Sequence, residues 1–170
     1  MVELTGRTLC QIFREQVRQR AEQVALREKD FGIWQRVTWR QYREQVAHFA
    51  LGLKYLGFKR GERLAILSEN RREWLYAELG VIALGGISVG VYPTSPYPEV
   101  QYVVHHAEAR FVVCEDQEQT DKILAVWDDL PSVEKIIVVD MKGMRGYPRE
   151  KIIPFSEVEK LSLIHISEPT

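Results

Sequence analysis

The chain has 170 residues, 45% of them hydrophobic and 28% charged, with a formal net charge of -1 at pH 7. These values are typical of one soluble globular domain with enough apolar material for a core. They argue against a dedicated nucleic-acid-binding protein, which would carry a large basic excess, and no apolar run reaches the roughly 18 residues of a membrane span.

The first elements in the chain are predicted to be a helix followed by a β-hairpin. The helix is predicted over residues 8–21, with an apolar face at helical spacing that consists of Leu9, Ile12, Phe13 and Val17. Two strands are predicted next, at 24–28 and 33–39, and the turn at Asp30-Phe31-Gly32 indicates that they form a hairpin.

A second helix is predicted to begin after the N-cap Thr38 and to run to about Leu56, where Gly57 supplies a left-handed cap. Its predicted buried stripe consists of Trp39, Tyr42, Val46, Phe49, Ala50, Leu53 and Leu56. His48 lies off this stripe, which favours a partly exposed histidine over a ligand.

From residue 62 onwards, strands and helices alternate. The strands are predicted at 62–67, 86–92, 110–115 and 134–140. The helix after the first of them is predicted to begin at Asn70, with Glu73 placed as in a capping box, and is apolar around most of its girth. Such an alternation predicts an α/β fold in which a parallel sheet has helices on both faces, preceded by a helix and a short β-hairpin.

The remaining elements are less sharply defined. Helices are predicted over residues 100–109 and from Asp116 or Gln117 to about Leu130. A loop is predicted over residues 141–150, followed by a short extended piece at 151–155.

Few residues in the chain suggest chemistry. There is no Gly-x-Gly-x-x-Gly, no Gly-Lys-Ser/Thr phosphate loop and no Gly-x-Ser-x-Gly elbow. The glycines of "GGISVG" at 85–90 favour close packing of helix and strand. His105 and His106 point about 100° apart on a helix, so a solvated helix end is favoured over a shared metal ion.

Two further pairs of residues are best explained without a catalytic or binding role. Arg71 and Arg72, beside Asn70, are predicted to be a solvated helix start, with a phosphate contact as the alternative. Cys10 and Cys114 lack metal-ligand spacing and are predicted to be buried reduced thiols. The sequence therefore predicts no catalytic, cofactor-binding or metal-ligating residue in this chain.

Three stretches carry a resemblance to a known family: "TWRQYREQV", "GFKRGERLAILSENRREW" and "GVYPTSPYPEVQYVVHHAEARFVV". In this order they resemble the start of the acyl-adenylate-forming ligases, most closely the long-chain fatty-acyl-CoA ligases, over roughly residues 5–155. Glu62 stands where aspartate is commoner, and Pro96 and Pro98 crowd the turn. Trp34 together with "SENRREW" favours long-chain acids over luciferase-like or peptide-synthetase relatives.

The resemblance implies a reaction in two steps, from acid and Mg-ATP to an acyl-adenylate and then, with CoA, to acyl-CoA and AMP. It implies fatty acid, ATP and CoA as substrates, Mg²⁺ with the ATP, and a cytoplasmic or membrane-peripheral protein with no nucleic-acid partner. The family's catalytic motifs, among them a Thr/Ser/Gly-rich loop with Pro-Lys-Gly and a lysine on a mobile lid, do not occur in residues 1–170. This chain is therefore expected to be inactive alone.

Two alternatives remain open. One is an adenylating ligase for aryl or amino acids. The other is a stand-alone, non-catalytic α/β module that binds a small ligand.

The last ten residues, "LSLIHISEPT", allow two interpretations. As protein they suggest a short strand and a Ser-Glu-Pro turn. As DNA, the string CTG TCT CTT ATA CAC ATC TCC GAG CCC ACG encodes them in order and resembles a sequencing-library adapter. We expect residues 1–160 to be the truncated N-terminal portion of an adenylate-forming domain and residues 161–170 to be a non-native tail, in which His165 and Pro169 have no role.

Overall fold

The structure is a computed structural model that describes residues 6–164, apart from the side chains of Asp30, Leu163 and Ile164. The N-terminal part contains α1 (Leu9–Arg20), β1 (Val24–Asp30), β2 (Ile33–Thr38) and α2 (Trp39–Tyr55). The strands and helices that follow are β3 (Arg63–Leu67), α3 (Arg72–Ala83), β4 (Ile87–Val91), α4 (Tyr97–His106), β5 (Phe111–Cys114), α5 (Gln117–Ala125), β6 (Lys135–Val138), β7 (Ile152–Pro154) and α6 (Phe155–Ile164).

Within residues 6–164, five strands form one parallel sheet in the order β4-β3-β5-β6-β7, and β1 and β2 form a separate antiparallel hairpin. The predicted α/β class, with its leading helix and hairpin, is confirmed. β7 corresponds to the predicted extended piece and adds a fifth strand next to β6.

The sheet is covered on both faces, so its strands are apolar on both sides. Alternate residues of β3 divide between two cores. Leu64 and Ile66 pack with side chains of α2, α3 and α6, whereas Ala65 and Leu67 pack with side chains of α4 and α5. The apolar girth of α3 predicts that this helix is buried between layers. Tyr76 of α3 is buried and belongs to the first core, in agreement with that prediction.

Local signals set the ends of α2 and the turn of the hairpin. The Thr38 hydroxyl accepts from the Gln41 amide, the Gln41 side chain accepts from the Thr38 amide, and Gly57 follows the helix at φ +90°. The turn residues Phe31 and Gly32 both have positive φ, 45° and 82°, which is the backbone of a type I′ turn. Both predictions are confirmed, and His48 is partly exposed as expected.

The predicted buried face of α1 is partly wrong. Val17 is buried and Phe13 is partly buried, but Leu9 and Ile12 are exposed. The reason is that α1 contacts the rest of the fold from Phe13 onwards, where the Phe13 ring lies 4.9 Å from the Tyr42 ring between centroids. Cys10 lies in the exposed half of this helix and is only partly buried, contrary to the prediction for that thiol.

The predicted start of α3 is also wrong. The N-cap residue is Arg71, without a side-chain cap hydrogen bond, and Asn70 precedes it. The Glu73 carboxylate forms no capping box because it accepts hydrogen bonds from Arg71 and Arg72. Of the later helices, α4 begins at Tyr97, earlier than predicted, and α5 ends at Ala125, where a short 3-10 helix follows.

The largest difference lies at the end of the described chain. Residues 155–164 form α6, whereas a short strand was one interpretation of the segment that begins at Leu161. Phe155, Val158 and Ser162 are buried at helical spacing, and the Ser162 hydroxyl donates to the Glu159 carbonyl at 2.6 Å. His165 and Pro169 lie outside the described residues. Across residues 6–164, no helix combines the length and the apolar character that crossing a bilayer requires.

Candidate functional site at the carboxyl edge of the sheet

The strand order places a topological switch point between β3 and β5. The chain leaves β3 for β4 on one side and then returns across β3 to β5 on the other side. In open parallel sheets, ligands bind outside the carboxyl ends of the strands at such a point. The loop after β3, residues 68–71, and the loop after β5, residues 115–116, border this crevice.

The carboxylate of Glu115 fills the crevice. It accepts a hydrogen bond of 2.7 Å from the Glu69 amide and lies 3.3 Å from the Ser68 hydroxyl. The Arg71 guanidinium donates to its other oxygen at 3.2 Å. An anionic ligand at this point would need the same hydrogen-bond donors. The Glu115 carboxylate of the protein itself already accepts from them.

An open cavity of about 340 Å³ lies beside the crevice, between the ends of β3 and β4. It is lined by Ser68, Glu69, Asn70, Trp74, Gly90, Val91, Tyr92, Pro93 and Thr94. The Trp74 ring forms its apolar wall, and a β-carbon built on Gly90 would meet that ring at 3.6 Å. Hydroxyl and amide groups supply the polar part, and the described lining includes neither lysine nor arginine, so the cavity suits a neutral ligand better than a phosphate.

A buried lysine holds the loop on one side of this cavity. Lys122 of α5 is 7% exposed, and its ammonium donates to the Pro93 carbonyl and lies 3.6 Å from the Glu118 carboxylate. This link fixes the "YPT" turn against the opposite layer of the fold. The sequence pattern does not indicate this buried contact of Lys122, because a lysine in an amphipathic helix ordinarily faces solvent.

Arg71 and Arg72 are not a solvated helix start. Arg71 bridges Glu73 and Glu115, and Arg72 bridges Glu73 and Glu28 of the hairpin at 3.1 and 3.2 Å. Partial burial is the largest single effect and lowers the pKa of Arg72. The hydrogen bond that Arg72 donates to Glu73, together with the nearby Glu73 and Glu28 charges, outweighs it, and the net pKa shift is upward. Both charges are therefore engaged in tying the hairpin, α3 and β5 together.

A second cavity, of about 410 Å³, lies between α2, α3 and α6 and is lined in part by Arg36, Arg72, Glu73, Tyr76 and Glu159. Burial raises the pKa of Glu159 to about 7, and the nearby Glu73 carboxylate adds to that shift. A carboxyl group that titrates near neutrality is a feature of functional sites and also of strained structural clusters.

The remaining residues singled out in the sequence are not brought together. His105 and His106 are exposed at the end of α4, where the His106 ring stacks on Tyr102 with 5.6 Å between centroids. Cys114 is buried, and burial raises the pKa of its thiol. Within residues 6–164 no three acidic, histidine or cysteine side chains converge as metal ligands would.

Comparison with known proteins gives a consistent match. Residues 13–162 match the family described as AMP-binding enzyme. The chain is 38% identical over 130 residues to the long-chain-fatty-acid–CoA ligase ACSBG2 of Xenopus laevis, which covers 76% of this chain and 18% of the relative. It is 34% identical over 154 residues to the long-chain-fatty-acid–CoA ligase ACSBG1 of Rattus norvegicus, which covers 88% of this chain and 21% of the relative.

The fold also matches a solved structure, that of the anthranilate CoA ligase AuaEII in complex with anthranoyl-AMP. The TM-score is 0.76 at 26% identity, over 89% of this chain and 26% of that chain. The chain thus spans about a fifth of the curated relatives and about a quarter of this solved ligase.

Proposed function

The chain belongs to the AMP-binding enzyme family, and we propose that it is the N-terminal part of an ATP-dependent ligase that joins a fatty acid to CoA. The observation that carries the proposal is the identity of 38% and 34% to two long-chain-fatty-acid–CoA ligases over most of this chain. The two relatives, ACSBG2 and ACSBG1, are both named as long-chain-fatty-acid–CoA ligases.

The proposed reaction has two steps. The fatty-acid carboxylate attacks the α-phosphorus of ATP, an acyl–O–P bond forms, and pyrophosphate leaves. The CoA thiol then attacks the acyl carbonyl, a thioester forms, and AMP leaves as the proton of the thiol is lost. Both steps need positive charge and hydrogen-bond donors around the phosphate and the carbonyl oxygen.

The described residues do not fit a Mg-ATP site, so we assign none of these steps to them. The switch-point crevice is occupied by Glu115, and the adjoining cavity lacks a basic lining. We propose that the phosphate-binding, metal-binding and lid groups lie in the rest of a longer protein. The role of this segment is then to form a rigid α/β layer, with the "YPT" turn held by Lys122 at its carboxyl edge.

The alternative within the family is a ligase for aryl or amino acids. The observation that favours it is the likeness to the anthranilate CoA ligase at 26% identity. It is the weaker alternative because the identity to the two fatty-acid ligases is higher and the match covers a similar share of this chain.

A substrate panel on the protein encoded by the uninterrupted gene distinguishes these possibilities. We expect ATP- and CoA-dependent thioester formation with hexadecanoic acid, and little with anthranilic acid, benzoic acid or amino acids. Preferred turnover of an aryl or amino acid would replace the fatty-acid proposal. No adenylation of any acid would favour the non-catalytic binding module.

A further inference from the structure

The β-hairpin carries cations and an aromatic side chain on one face. The register places Arg27 opposite Arg36 and Lys29 opposite Trp34. Residues directly opposite each other in an antiparallel pair point to the same face. All four residues are exposed, and Arg36 also reaches the rim of the 410 Å³ cavity.

The other face of the hairpin is already engaged with the fold. Leu26 and Val37, which are paired in the register, are partly buried against the core of α2 and α3. Glu28 on the same face forms the ion pair with Arg72. The orientation of the hairpin is therefore fixed, and its cationic face is the outer one.

Within the part of the chain that the structure describes, the cations of the outer face form no ion pair, although Arg36 lines the same cavity as Glu73 and Glu159. Arg27, Lys29 and Arg36 make no ion pair or side-chain hydrogen bond with the side chains that the structure describes, in contrast to Arg71 and Arg72. Like charges directly opposite each other on a β-ladder are destabilising. An external anionic surface would relieve this repulsion.

The tip of the hairpin is apolar and projects into solvent. Phe31 is 92% exposed, Ile33 66% and Trp34 61%. Phe31 has a φ of 45°, a conformation that is unfavourable for a bulky residue and that asparagine or glycine adopts readily in this turn. A phenylalanine at this position exposes a ring and strains the turn, so its presence calls for a compensating contact.

We propose that this hairpin tip docks on an anionic lipid surface, with Phe31, Ile33 and Trp34 inserted at the interface and Arg27, Lys29 and Arg36 above them. Aromatic rings concentrate at the membrane interface, and each cation near anionic lipid strengthens the attraction. The net charge of -1 disfavours a nucleic acid as the partner of this surface. The inference does not depend on which acid the ligase activates.

Vesicle co-sedimentation of the protein encoded by the uninterrupted gene tests the proposal. We expect binding to phosphatidylcholine vesicles that contain about a third phosphatidylserine, and weaker binding to pure phosphatidylcholine. Phe31→Asn with Trp34→Thr should reduce binding about tenfold or more, because interfacial apolar burial is lost. Phe31→Asn alone should keep the turn, since asparagine suits the φ of 45°. If this variant binds vesicles more weakly but is as stable as the parent protein, the loss of binding comes from docking and not from misfolding.

The charge arm uses Arg27→Gln with Lys29→Gln, which should reduce binding about fivefold per charge and lower its salt dependence. Matched controls are Tyr102→Ser, an exposed aromatic on α4, and Arg145→Gln with Arg149→Gln, exposed cations in the loop before β7. The controls should bind like the parent chain. Equal loss in the controls, no vesicle binding, or binding to DNA that survives the tip substitutions would overturn the proposal.

Discussion

Gly52 of α2 lies directly against the backbone of Val158 in α6. A β-carbon built on Gly52 would stand 1.8 Å from the Val158 carbonyl oxygen and 2.7 Å from its carbonyl carbon. The close approach allows the rings of Phe49 and Phe155 to stack at 4.5 Å between centroids, with 14° between their planes. A glycine inside a helix is thus required by packing between helices.

Gly52→Ala should destabilise the protein, by a net amount of up to about 2 kcal/mol. The new methyl cannot be accommodated unless α2 and α6 separate, and overpacking of this kind costs about 1–3 kcal/mol. The helix propensity of alanine returns only about 1 kcal/mol of this. Urea unfolding followed by circular dichroism measures the change, and Gly90→Ala is the control, because its methyl would meet only the Trp74 ring at 3.6 Å. Equal midpoints for both variants would contradict the helix contact.

Glu159 makes the stability of the fold depend on pH. Burial, assisted by Glu73, raises the pKa of this carboxyl from its ordinary value of 4.5 to about 7. The fold favours the protonated form of Glu159. The contribution of this carboxyl to the unfolding free energy is therefore complete below its pKa in the unfolded chain, and it is lost as the pH rises through about 7. Unfolding free energy should therefore fall between roughly pH 4.5 and pH 7 on account of this group.

Glu159→Gln should remove the pH-dependent contribution of this carboxyl to the unfolding free energy. It should stabilise the protein at pH 8 by up to roughly 2 kcal/mol. The matched control is Glu157→Gln, two residues away on the exposed side of α6. Denaturant unfolding at several pH values compares the two. A pH profile in the Glu159 variant identical to that of the parent chain would show that the carboxyl is better solvated than the structure indicates.

The two thiols should differ in reactivity. Cys114 is fully buried in β5 and burial raises the pKa of its thiol, whereas Cys10 is partly exposed with a smaller burial effect in the same direction. Iodoacetamide at pH 8 should alkylate Cys10 in the folded chain and Cys114 only in denaturant, since thiolate and access are both required. Peptide mass spectrometry reads the sites, and labelling of Cys114 first would contradict the placement of β5.

Residues with a local physical signal were predicted well from the sequence. Thr38 and Gly57 bound α2 through capping and a left-handed backbone, which depend on neighbouring residues alone. The apolar runs of β3 and β5 and the helices between them predict a parallel sheet for the same reason. The class of the fold thus follows from periodicity and turn chemistry.

Features that depend on distant residues were not predicted. Arg71 and Glu73 look like parts of a capped, solvated helix start until Glu115, far along the chain, supplies the competing partner. The exposure of Leu9 depends on how little of α1 the rest of the fold covers. The short apolar segment at the end of α6 is ambiguous between strand and helix from its sequence alone, and the contact of Val158 in the same helix with the distant Gly52 could not be predicted.

We propose that the native reading frame continues past Lys160 and that residues 161–170 are not native. The coincidence between "LSLIHISEPT" and an adapter-like DNA string motivates this prediction. Sequencing of the intact locus should show a different codon series after Lys160, followed by a Thr/Ser/Gly-rich loop ending in Pro-Lys-Gly. A native stop codon directly after Thr170 would contradict it.

We propose that this chain is the front part of a ligase whose catalytic groups lie in a longer protein. Acid-dependent pyrophosphate release from ATP, measured in parallel on the 170-residue chain and on the product of the uninterrupted gene, tests it most directly. We expect release only from the longer product, with hexadecanoic acid as substrate. Release by the 170-residue chain, abolished by a single substitution within it, would show that the catalytic groups lie in this chain.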